Sequence, residues 1–157
     1  MYILLKVIAA GIIGTIIMDT VNFLISKTGI ITKIDIKMIG RMSVGWLQGR
    51  FIYKHPNEIK PINHEFFFGY LAHYAIGVAI AVLFVFGWDI LIGGNISPFW
   101  IFVYGIITTL GSYLIIYPSM GLGIFGFKST EGLKNTISSF INHLFFGVGM
   151  AIGIVLT

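Results

Sequence analysis

The chain contains no cysteine, which excludes disulfide staples, thiolate metal sites, thiol nucleophiles and lipidation on cysteine. Charge is also scarce. Charged residues make up 10% of the 157, and only six of them are acidic, where a soluble domain carries about 25% charged residues. Paired catalytic carboxylates and acidic metal cages therefore have little material to draw on, and no nucleophile triad stands out. Proline occurs four times, so long apolar segments run without helix breakers.

What is present is apolar. Hydrophobic residues make up 57% of the chain and mean hydropathy is +0.94, more apolar surface than a soluble core of this length can bury. Stretches of roughly 20 apolar residues, enough to cross about 30 Å of hydrocarbon, recur along the chain. The reading is an all-α polytopic membrane protein: a single domain over 1–157 with four transmembrane helices in an antiparallel bundle, at about 2–26, 66–86, 98–120 and 136–156. The first span has no basic leader and no small-x-small site before Ser26-Lys27, so it is expected to be retained rather than cleaved as a signal.

The formal charge of +4 does not indicate nucleic acid here, because the positive residues lie between spans. Nine of the ten Lys and Arg fall in the loop 27–65 or in the connection holding Lys128 and Lys134, with Lys6 the exception. The excess of positive loops on one side predicts that side to be cytoplasmic, with both termini outside. Within the long loop, Lys33, Lys37 and Arg41 recur every fourth residue beside Ile34, Met38 and Met42. This spacing predicts an interfacial helix over about 33–48, its basic stripe available to lipid headgroups.

Ionisable groups inside a span are costly and face the bundle interior, where they either pack or function. Asp19 lies seven residues inside the first span from Ser26, His73 seven from Phe66 and His143 seven from Thr136, each about 10 Å deep at 1.5 Å per residue. Ser112 and Tyr113 reach nearly the same depth, and Asn22 lies one turn from Asp19. Asp19, Asn22, His73, Ser112, Tyr113 and His143 thus form a candidate polar layer. Three uses remain open for it: a transport or proton-relay site, hydrogen bonds that only fix helix packing, or ligation of haem or a divalent metal by His73 and His143 with Asp19. No local metal motif favours the last, and an enzyme is the least supported class. The substrate is not specified.

His73-x-x-x-Gly77-Val78 matches His143-x-x-x-Gly147-Val148, a short repeat that would make the two helical hairpins copies. Small residues at Gly149 and Gly153 could pack helices or a homodimer. Gly121-x-Gly123-x-x-Gly126 spells a dinucleotide fingerprint but follows an apolar helix instead of a strand, and is read as a flexible loop.

Several ordered segments together resemble one family. These are Met18-Asp19, Gly40-Arg41, Gly49-Arg50-Phe51 followed by His55, Gly69-Tyr70, His73-Tyr74-x-Ile76-Gly77, Pro118-Ser119-Met120-Gly121-x-Gly123 and His143-x-x-Phe146-Gly147. The chain resembles domain-of-unknown-function family 2938, small bacterial membrane proteins. The resemblance implies four transmembrane segments and an inner-membrane location, and it carries no activity, substrate or cofactor. Tyr117 stands where the family typically has Gln.

Overall fold

The computed structural model describes residues 2–156. They form five helices and no strands: α1 (Tyr2–Ser26), α2 (Ile36–Leu47), α3 (Glu65–Leu91), α4 (Pro98–Ser119) and α5 (Leu133–Leu156). All but α2 are long and apolar enough to cross a bilayer. The molecule is a helical membrane bundle, and its outward faces carry residues such as Leu83, Ile115 and Val155 to lipid.

α1 and α5 pack along each other at the centre. α3 leans on α1 and α4 on α5, while α2 lies against α3. Small residues permit these close approaches. A Cβ on Gly149 would come within 2.8 Å of the Gly14 Cα, and one on Gly153 within 2.6 Å of the Ala10 Cα. That glycine stripe is therefore used inside the protomer, between α5 and α1, and is closed to a second copy. α4 and α5 meet where Gly105 backs directly onto Gly147. Val7, Ala10, Ala81, Ile101, Phe146 and Met150 fill the spaces between.

α2 begins one residue after Asp35, whose carboxylate accepts from the Met38 amide at 2.9 Å, capping the helix. Its inner face buries Ile36, Ile39, Met42 and Gly45, and Gly40 crosses Gly69 of α3 with no room for a Cβ on either. The basic stripe is partly engaged: Lys37 Nζ lies 3.2 Å and Arg41 Nε 2.7 Å from the two carboxylate oxygens of Glu65, the first residue of α3. Lys33 remains exposed.

α3 continues past Phe86 to Leu91, because nothing in Gly87-Trp88-Asp89 breaks helical hydrogen bonding. α4 breaks briefly at Thr108 and then widens into a turn over Ser112–Ile116, closed by the Tyr117 amide on the Ser112 carbonyl. Pro118 accounts for it: the ring has no N–H to give and crowds the preceding turn, which widens to accommodate it. The glycine segment after α4 is a tight coil. Gly121, Gly123 and Gly126 all have φ above +70°, and Thr136 donates its hydroxyl to the Phe125 carbonyl at 2.6 Å.

Candidate functional site

The predicted polar layer resolves into three hydrogen-bonded groups. Asp19 on α1 and His73 on α3 meet directly, with Oδ1 to Nε2 at 2.8 Å. His73 is nearly enclosed and Asp19 a quarter exposed. The edge of Tyr74 supports the imidazole, its ring centroid 5.9 Å away. The approach of α3 to α1 at Gly77, against Thr15 and Gly11, brings the pair together.

His143 on α5 joins α4 instead. Its Nδ1 lies 2.8 Å from Thr108 Oγ1 and its Nε2 2.8 Å from Ser112 Oγ. The Thr108 hydroxyl gives its single proton to the Gly105 carbonyl at 2.6 Å, so Nδ1–H of His143 must be the donor to Thr108. In the neutral ring Nε2 is then the acceptor, and Ser112 O–H donates to it. Both ring nitrogens are thus bonded within the protein. Among the described residues no three His, Asp or Glu side chains are placed to hold a metal ion.

Asn22 serves a third group. Its amide N–H bonds go to the Thr32 carbonyl and to Asn142 Oδ1, both at 3.0 Å, and its own oxygen accepts from the Ile34 amide at 3.1 Å. Thr32 in turn donates its amide N–H to Ser138 Oγ and its hydroxyl to Asn135 Oδ1, both at 2.7 Å. This network ties the segment before α2 to α1 and α5. Tyr113, one residue from Ser112 and so about 100° around the helix, turns away and donates to the Thr136 carbonyl at 2.7 Å.

A cavity of about 840 Å³ connects these groups, and His73, Thr108, Ser112, Asn142 and His143 line it. One wall is α3 through Ile76 and Ile80, the opposite wall α4 through Gly111 and Ile115, and the back is Met18 and Phe146. α2 contributes Met38, Ile39, Met42 and Trp46. At the far end α3 and α4 close through Phe84 on Tyr104, centroids 4.7 Å apart, and Trp88 on Trp100 at 6.1 Å. Sequence reasoning missed Thr108, which sits one turn before Ser112 on the same face, a spacing that could have flagged it. It also missed the lining given by α2, whose contacts are far apart in sequence.

A family model described as protein of unknown function (DUF2938) matches residues 8–157, nearly the whole length. The chain belongs to this family. No curated protein matches it. No solved structure matches it either. In this DUF2938 member the resemblance motifs holding Asp19, His73 and His143 contribute to two of the three hydrogen-bonded groups.

Proposed function

We propose that the protein is a small membrane transporter whose cargo occupies the cavity between α3 and α4, with the Asp19–His73 pair as its proton-exchanging element. The observation that carries this reading is that His73, Ser112 and His143, on three different helices, line one cavity of about 840 Å³. That volume falls within the roughly 300–1,000 Å³ range of small-molecule sites. Residues that served packing alone would be expected between helices in contact and off the cavity, as Asn22 is. The cavity also reaches the polar segments holding Ser26, Lys33 and Thr130 at the basic end, while aromatic rings close the other, as in one access state of a carrier. The positive loops favour a cytoplasmic basic end and outward termini in a bacterial plasma membrane.

The competing reading, a structural or assembly protein whose polar layer fixes helix packing, draws on the fully bonded Asn22 and His143 side chains. Because the chain has no native cysteine, a single Ser112→Cys separates the two. In proteoliposomes, a membrane-impermeant thiol reagent is expected to label it from the basic side. Absence of labelling from either side would favour packing.

A further inference from the structure

We infer that the cargo is a membrane amphiphile, an aliphatic chain with an anionic head, which enters the cavity sideways from the bilayer between α3 and α4. The inference rests on the transport reading and names its substrate class.

The cavity is continuous with the lipid-facing surface. Leu83 on α3 and Ile115 on α4 both line it, yet they are 68% and 57% exposed. In a membrane bundle, exposure within a span means contact with acyl chains. The gap between the two helices is therefore a lateral opening, bounded by the Trp88–Trp100 stack at one end and by α2 at the other. A solute restricted to water would gain nothing from such an opening, whereas a chain-bearing molecule can pass through it without leaving hydrocarbon.

The walls match a chain. Methionines from three segments, Met18, Met38 and Met120, line it together with Ile76 and Ile80. Unbranched thioether side chains adapt to flexible aliphatic guests.

The other mouth is polar and holds Lys33, Lys134, Asp35 and Glu131. Asp35 caps α2 and Glu131 pairs with Lys134 at 3.5 Å. Among the described residues this leaves Lys33 as the mouth cation with no carboxylate partner, placed to attract an anionic head. The Trp46 indole is also on the lining, near this mouth. An anionic head of this kind belongs to a free fatty acid or to an acidic phospholipid.

Trp46 is also the reporter. In nanodiscs of uncharged lipid, a Trp88→Phe/Trp100→Phe variant is titrated with dibromostearate and separately with phosphatidylglycerol bearing brominated chains. Saturable quenching of Trp46 is expected, and the stronger arm identifies free acid or whole lipid. Lys33→Glu should raise the half-saturation concentration at least about tenfold, equivalent to about 1.4 kcal/mol. Gly111→Leu should abolish saturation by filling the opening: Gly111 lines the cavity and a Cβ there meets no atom within 4 Å, so the fold is kept. Because Trp88 and Trp100 bound the opening, native mass spectrometry of the unaltered chain with the same two probes gives the occupancy independently of that background.

Quenching that rises linearly and equally in all variants, or no retained probe, overturns the amphiphile assignment. If Ser112→Cys is still labelled from one side, the transport reading survives with a different cargo. If it is not, both fall.

Discussion

Asp19 and His73 lie 54 positions apart in the chain, yet their side chains meet at 2.8 Å across the α1–α3 contact. A carboxylate and an imidazole inside a span are individually costly, and their pairing lowers that cost while leaving a proton that can be shared between them. Asp19→Asn keeps the size and hydrogen-bonding ability but removes the charge. Its effect on stability should stay within about 0.6–1.7 kcal/mol, the usual range for hydrogen bonds within membranes. Relaxation of an imposed pH gradient in proteoliposomes should slow markedly, read with an entrapped pH-sensitive dye. Equal rates for both proteins would remove the pair from any proton-exchange role.

The Asn22–Asn142 contact should behave oppositely. Asn22 is buried with both N–H groups and its oxygen engaged, so Asn142→Leu leaves one of its buried donors without a partner. A loss of about 1–3 kcal/mol is expected. A double-mutant cycle with Asn22→Leu should recover about 0.5–3 kcal/mol as coupling, measured by reversible unfolding in mixed micelles.

Two glycines separate close packing from mere flexibility. Gly105 has no room for a Cβ against Gly147, whereas a Cβ on Gly87 meets nothing within 4 Å. Gly105→Leu should cost at least about 1–3 kcal/mol through forced separation of α4 and α5. Gly87→Ala should add about 0.5–1 kcal/mol by removing backbone freedom from the unfolded chain. Thermal melts of the two variants in one detergent give the comparison.

Glu65 clamps α2 through Lys37 and Arg41. The hydrogen bond to Glu65 holds the Arg41 guanidinium above its ordinary value, with burial opposing it. A base whose value is raised on folding keeps its full contribution at every pH below its unfolded value, far above neutrality, and loses it only as pH rises beyond that. Arg41 therefore gives the clamp no pH dependence in the physiological range. Glu65→Gln should speed hydrogen exchange over Ile36–Leu47 while leaving α1 and α5 unchanged. Uniform acceleration across all helices would mean that α2 is not held by this clamp.

Much of the architecture could be read from residues because a membrane imposes a strong pattern: apolar runs of the right length can only be spans. Depth was readable too, since 1.5 Å per residue places Asp19, His73, Ser112 and His143 at one level. Rotation was not. Ser112 and Tyr113 are equal in depth, yet the wide turn before Pro118 and the path of α5 send one to His143 and the other to the Thr136 carbonyl. The helix in the basic loop could be recognised from its four-residue spacing. Its docking on α3 depends on Gly40 meeting Gly69 and on Glu65, partners that no periodicity reveals.

The aromatic stack gives α3 and α4 the mechanics of tongs. Phe84 on Tyr104 and Trp88 on Trp100 join the two helices near their connecting turn, and the cavity separates them below it. Roughly 16 Å of helix lie between Phe84 and His73, so a rotation of about 7° about that joint changes the opening at His73 by about 2 Å. Smooth, tilting ring faces tolerate such rolling better than interlocked side chains do. The width of the lateral opening is therefore set at the end of the molecule farthest from α2, and bulk added or removed at Trp100 would alter the mouth without touching it.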